Sequence, residues 1–214
     1  MTKAPTLLAA GGTGGHLFPA EALAHVLGAR GVPVELVTEE RALRYGDAFP
    51  ARATHMIPSA TPRGGSAFER IAALALLGQG LIASLVLLRR LQPRIVIGFG
   101  GYPTVPPLLA ASLLGIPTII HEANGVIGKA NRFLAPRVSA IAVGFPLDDA
   151  PAALREKIVL TGNPLRPKAL TATQAPYPED GGVLRLLVTG GSQGARIMAD
   201  IVPEAIAALP EATR

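Results

Sequence analysis

The sequence predicts an α/β protein: a parallel-sheet domain followed by the first strand, loop and helix of a second one. Three observations lead there. Strand-like and helical patterns alternate from Thr6 to Thr161. The strand runs are apolar throughout, as in a parallel sheet with helices on both faces. One pattern, an apolar strand that runs into glycines and then a helix, also occurs twice. "LLAAGGTGGHLFPA" (Leu7–Ala20) and "LLVTGGSQGARIMA" (Leu186–Ala199) align without a gap.

The elements follow in order. Thr6–Ala10 reads as a strand, and a helix follows from about Leu17 to Arg30, stopped by Gly31. Val34–Thr38 is the next strand, with a third short one near His55–Pro58. The loop "SATPRGGSAF" leads to a long apolar helix. "RIVIGFGGYP" is a strand entering another glycine loop. Then come a helix (Val105–Leu114), a strand (Pro117–His121), a helix (Gly128–Leu134) and a strand (Ala140–Gly144). Ile158–Thr161 closes the series. Asn163–Gly182 carries four prolines and little periodicity, so it reads as a linker. The expected organisation is a first domain over 1–163, a linker over 164–182 and the start of a second domain over 183–214. One strand–loop–helix unit cannot make a domain. The expectation is therefore a truncated chain, or one completed by a partner chain.

The eighteen residues Ile71–Leu88 carry no charge. Gly78, Gln79 and Gly80 interrupt them, and Arg89, Arg90 and Arg94 close them. Three readings are open: a helix buried against the sheet, a helix with one face in a bilayer interface, and a membrane span.

The formal net charge of the 214 residues is +5. A basic balance fits an anionic membrane surface or a phosphorylated ligand. It does not point to nucleic acid, because aromatics are 4%, Trp is absent and there is no dense basic run. The absence of cysteine excludes disulfides, thiol nucleophiles and cysteine metal sites, and suits a cytosolic protein. The N-terminal apolar stretch is too short for a signal peptide.

Glycines at the start of a helix let the backbone approach an anion, so both loops read as phosphate-binding; the alternative is a plain tight turn. A dinucleotide fingerprint is not met: Gly12 and Gly14 fit, but Leu17 stands where the third glycine belongs. Glu39 and Glu40 follow the second strand, where a ribose acid would sit, and are weak evidence alone. His16 aligns with Ala195, so the loop architecture does not require a histidine. At a helix N-terminus imidazole is favoured in its neutral form, which can accept a proton. The alternative is a capping or packing role. Polar groups also gather at other strand ends: Gly98–Pro103, with Gly100, Gly101 and Tyr102; His121–Gly125; and Gly162–Arg166. The four histidines, His16, His25, His55 and His121, do not form a ligand-spaced cluster, so no metal is expected.

Together "GGTGGHLFPA", "GFGGYP", "IIHEANGVIGKANRFLA", "GNPLR" and "GGSQGAR" resemble the bacterial murein N-acetylglucosaminyltransferases, the MurG family, in that family's order. Two departures are Ala123, where the family's commoner form has Gln, and "YPTVPP" after Gly101. The resemblance implies two Rossmann-like domains in the GT-B arrangement. It implies inverting transfer of N-acetylglucosamine from UDP-N-acetylglucosamine to the lipid-linked muramyl-pentapeptide, lipid I, without a cofactor. Donor contacts are implied at Thr13, Gly14, Gly15, Asn124 and Arg166, and at Ser192 with its loop neighbours Gly191 and Gln193. His16 is the first candidate base. Glu122, acting directly or through His121, is the second. Gly100, Gly101, Tyr102 and His121 fall on the acceptor side. Implied partners are an anionic membrane surface and cell-wall synthesis and division proteins, at the cytoplasmic face of the inner membrane. Two alternatives remain: a non-catalytic membrane-docking half of a two-chain enzyme, and a UDP-sugar transferase with another acceptor.

Overall fold

The computed structural model describes residues 4–40, 42, 49–60, 66–148, 150–176, 186–190 and 195–210. The chain divides into two compact units, Met1–Thr173 and Gln174–Arg214.

The first unit is built on a parallel sheet: β1 (Thr6–Ala9), β2 (Val34–Thr38), β3 (Thr54–Met56), β4 (Ile95–Gly98), β5 (Thr118–Glu122), β6 (Ala140–Val143) and β7 (Ile158–Leu160). The strand order is β3-β2-β1-β4-β5-β6-β7, and every pairing is parallel. Each strand predicted in this unit is present. β1 shows why its run is apolar throughout. Leu7 and Ala9 enter one core cluster, while Leu8 and Ala10 enter the other, on the opposite face. The chain leaves β1 toward β2 and β3, then returns to place β4 on the other side of β1. That reversal opens a crevice at the carboxyl ends of β1 and β4, where ligands bind in open α/β sheets.

Helix α1 (Gly14–Ala29) begins three residues before the expected Leu17. The backbone N–H groups of His16 and Leu17 both donate to Thr13 O, so the last glycines of the loop already form the first turn. Pro19 sits inside the helix and removes one backbone donor.

Helix α2 (Ala67–Leu91) runs unbroken through Gly78–Gly80, which the sequence reads as an interruption. Gly80 serves close approach: a Cβ there would collide with Pro58 O and lie 3.0 Å from Pro106. Ser84 Oγ donates to Gly80 O at 2.7 Å, which satisfies a buried hydroxyl. α2 packs on α3 (Val105–Leu113), and its buried residues are Ala73, Gly80, Ser84 and Leu88. Its other side is apolar and exposed, including Phe68, Ile71, Leu74, Ile82 and Val86. Only 17% of its most apolar window is buried, so a helix fully covered by the fold is not what forms. By length and composition alone α2 could cross a membrane. Helices α4 (Lys129–Leu134) and α5 (Ala152–Arg155) complete the main run.

A further helix, α6 (Pro167–Thr173), lies inside the stretch read as linker, and the first unit extends to its end. The second unit contains α7 (Arg196–Ala207), preceded by Leu186–Gly190. The strand expected at the start of this unit is not formed among its described residues. A strand exists only as a rung of a ladder, and the described residues of this unit hold no second one. The residues flanking the two loops are nonetheless close together in both copies. A Cβ on Gly11 would lie 3.0 Å from His16, and one on the aligned Gly190 would lie 2.6 Å from the aligned Ala195.

Candidate active site

The loops after β1 and β4 meet at the reversal point. Gly11 N–H donates to Gly100 O at 3.1 Å. Much of the first loop is satisfied internally: Gly12 N–H donates to Glu39 Oε1 (3.1 Å) and Thr13 N–H to Gly11 O (2.9 Å). Glu39, weighed above as a ribose acid, thus holds the loop. Only the Gly14 and Gly15 N–H groups remain without a partner among the described residues. The anion-binding potential of the loop is therefore narrower than its glycine count suggests.

What the glycines surround is His16. A Cβ on Gly100 would lie 2.9 Å from its Cδ2, and one on Gly101 would lie 3.2 Å from its Nδ1. Both glycines have positive φ, +91° and +79°. Thr13 Oγ1 lies 3.0 Å from His16 Nδ1. Burial holds the imidazole below its ordinary pKa, opposed by the carboxylates of Glu122 and Glu39. The sequence argument reached neutral imidazole through the helix N-terminus; desolvation is the main cause here.

His16 lines a cavity of about 310 Å³ with Gly15, Gly100, Gly101 and Tyr102 on one side. Glu122, Asn124, Lys129 and Asn131 line the other. β5 delivers Glu122, which is 3% exposed and accepts four hydrogen bonds. Asn124 N and Nδ2 donate to Oε1 (3.1 and 2.9 Å). Gly128 N and Asn131 Nδ2 donate to Oε2 (both 2.9 Å). A carboxylate has about four lone-pair sites. All are engaged here, so Glu122 folds the Ala123–Gly128 loop around itself and has no lone pair left for a substrate proton. Asn124 shares that duty.

Four expected site residues lie elsewhere. His121 is buried, packs on Phe99 (ring centroids 5.5 Å apart) and approaches Gly162 O at 3.4 Å. It does not line the cavity. Burial lowers its pKa, against the Gly162 hydrogen bond and the Glu122 charge. Gly14 is buried under Phe18, whose Cε2 is 2.8 Å from the place of a Cβ. Phe18 in turn carries Arg166, whose guanidinium stacks 3.6 Å above the ring centroid and lies 3.6 Å from Glu21 Oε2. Thr13 is turned to His16. Gly191, Ser192 and Gln193 lie outside the described residues.

Three groups were missed by the sequence reading. Asn131 is 4% exposed and donates to both His121 O and Glu122. It stands inside a quoted motif, but its role depends on α4 lying beside β5. Lys129, two residues earlier in α4, brings a positive charge to the same cavity. Asn163 Nδ2 donates to Ala123 O at 3.1 Å, and its amide occupies the space a side chain on Gly144 would need. Asn163, the Gly162–His121 contact and Arg166 pin "GNPLR" to the first unit.

The chain is similar to known proteins in sequence and fold. Residues 6–143 match the glycosyltransferase family 28 N-terminal domain. A protein of Rhodopseudomonas palustris (strain BisA53) is 57% identical over 220 residues, covering 100% of this chain and 59% of its own length. One of Allorhizobium ampelinum is 55% identical, covering 100% and 57%. Each is named a UDP-N-acetylglucosamine–N-acetylmuramyl-(pentapeptide) pyrophosphoryl-undecaprenol N-acetylglucosamine transferase. The crystal structure of Acinetobacter baumannii MurG superposes with a TM-score of 0.69 at 30% identity, covering 95% of this chain and 57% of that one. A kitacinnamycin glycosyltransferase shares the fold at 17% identity (TM-score 0.61). The chain spans 59% of the length of the Rhodopseudomonas relative. It belongs to glycosyltransferase family 28, whose N-terminal domain occupies residues 6–143.

Proposed function

We propose that this chain is the acceptor-side part of a transferase that moves N-acetylglucosamine from UDP-N-acetylglucosamine to the lipid-linked N-acetylmuramyl-pentapeptide. The observation that carries the chemistry is His16: an imidazole that burial holds below its ordinary pKa, pinned between two glycine loops at the sheet's reversal point and lining an open cavity. The names of relatives above 50% identity carry the substrates.

In this reading His16 takes the proton of the attacking sugar hydroxyl. The oxygen displaces UDP at the anomeric carbon with inversion. A neutral base in a partly dry site, with Glu122 and Glu39 favouring its protonated form, suits that step. His16 is preferred to Glu122 because the carboxylate is fully engaged. Charge on the leaving diphosphate is assigned to the N–H group of Gly15, exposed in the first turn of α1 and lining the cavity. Gly100, Gly101 and Tyr102 face the acceptor.

The exposed apolar side of α2, with Arg70, Arg89, Arg90 and Arg94 exposed near its ends, is assigned to an anionic membrane surface. That fits a peripheral enzyme at the cytoplasmic face of the inner membrane, working beside cell-wall synthesis and division proteins.

The test is transfer of labelled N-acetylglucosamine to lipid I by the complete protein. His16→Ala is expected to lower kcat by about 10²–10⁴-fold. Near-normal kcat would remove His16 as base. Transfer to another acceptor but not to lipid I would overturn the substrate assignment.

A further inference from the structure

Thr13 stands at the N-cap of α1 but does not cap it. Its backbone is extended (φ −123°, ψ 151°), the conformation in which a threonine hydroxyl normally accepts from an N–H of the first turn. No such bond is made. The hydroxyl turns instead to the ring of His16, the third helical residue, with Oγ1 and Nδ1 3.0 Å apart. In a capping box that third residue is Glu or Gln and reaches back to the N-cap N–H. Here the Thr13 N–H is already donated to Gly11 O. A local stabilising contact has been given up in favour of one imidazole nitrogen.

The rest of the cradle is steric. Gly11, Gly100 and Gly101 crowd the ring and fix its plane. The other nitrogen, Nε2, has no hydrogen-bond partner among the described residues, and the ring lines the cavity. A neutral imidazole carries one proton. If it sat on Nε2, that N–H would have no acceptor among the described residues. If it sits on Nδ1, Thr13 Oγ1 accepts it, and the half-buried hydroxyl can still donate to water.

We propose that Thr13 is a positioning residue that accepts a hydrogen bond from His16 Nδ1–H and so leaves the Nε2 lone pair facing the cavity. This rests on the assignment of His16 as base. In the transfer step the acceptor O–H proton goes to Nε2, the new O–C bond forms, and the anomeric C–O bond breaks with its electron pair leaving on UDP. The imidazolium keeps its Nδ1–H on Thr13 throughout, so nothing has to reorient. Its charge is faced by Glu122 of β5 and by Glu39 after β2, with Lys129 of α4 lining the same cavity.

The test reads the tautomer directly. In ¹⁵N spectra of the 214-residue chain with labelled histidine, above the His16 titration, Nε2 is expected to be unprotonated and Nδ1 protonated. Thr13→Ser should keep that pattern. Thr13→Val, which preserves the shape, should move the proton to Nε2. In the complete protein Thr13→Val should lower kcat by at least about 10-fold, the wrong-tautomer effect that reaches about 10⁴ in hydrolase triads, and Thr13→Ser should restore it. A protonated Nε2 in the unaltered chain, or an unchanged tautomer in Thr13→Val, overturns the inference. Failure of the base assignment would look different: normal kcat in His16→Ala, with the Thr13-dependent tautomer still in the spectrum.

Discussion

The imidazole of His16 occupies the space that a side chain on Gly100 would need. A Cβ there would lie 2.9 Å from Cδ2, on a backbone with φ +91°. Gly100→Ala must therefore both strain the loop and displace the ring. It is expected to lower stability by about 1–3 kcal/mol and to shift the His16 resonances, read by urea denaturation and NMR. Gly28→Ala is the contrasting case. It lies in α1 with nothing within 4 Å of a new Cβ, and should stabilise by about 0.5–1 kcal/mol.

Glu122 distinguishes an anchor from a base. Glu122→Gln puts an NH₂ group where an N–H now donates, leaving buried donors unpaired. A cost of about 2–4 kcal/mol is expected in the unfolding of the chain alone, without substrate. A variant of unchanged stability that loses only turnover would point to proton transfer instead.

Acid should weaken the fold in two windows. His16 and His121 both titrate below their ordinary value when folded, because burial disfavours the charged ring. The unfolded chain then binds more protons, so their contribution is present above about pH 6.5 and fades as pH falls below it. Glu35 lies in a lower window. Burial raises its pKa, but hydrogen bonds from His55 and Arg52 outweigh that and hold it below its ordinary value. Its contribution is lost only as pH falls through the carboxylate range. Denaturation midpoints from about pH 8 to about pH 2 should therefore fall in two phases, and His121→Gln should shrink the first. Stability that rises between pH 8 and 5 would contradict this.

Gly144 and Asn163 should behave as a coupled pair. Gly144→Ala evicts the Asn163 amide and breaks its bond to Ala123 O, for about 1–3 kcal/mol. In an Asn163→Gly background the same change should cost less than about 0.5 kcal/mol. A double-mutant cycle by thermal unfolding measures the difference, and additive costs would refute the coupling.

The exposed side of α2 can be charged without cost to the fold. Ile82→Glu and Val86→Glu, at positions 65% and 63% exposed, should change stability by no more than about 0.5 kcal/mol. Binding to vesicles rich in anionic lipid should drop at least about 10-fold in flotation assays, and binding by the unaltered chain should weaken with salt. Equal binding by both variants would remove the membrane assignment.

Much of this architecture was legible because it is written in local patterns. The apolar runs at Thr6–Ala9, Val34–Thr38 and Ile95–Gly98 became strands because each must be buried on both faces. His16 stood out because its loop occurs twice and the second copy has Ala195. What the sequence could not supply was the partner of each group. Gly100 and Gly101 read as a ligand loop, yet their neighbour is a ring from another βα turn. Glu122 read as a base, and three backbone and side-chain donors folding back from its own loop, with a fourth from α4, claimed it. His121 pointed toward the acceptor on paper and toward Phe99 in the fold. The element order and the odd histidine were thus determined along the chain, by periodicity and by the comparison of two loops. Whether a polar group is free or already satisfied was decided only when the sheet order brought β1, β4 and β5 side by side. That follows because hydrogen-bond capacity is used up by neighbours in space, whatever their separation in sequence.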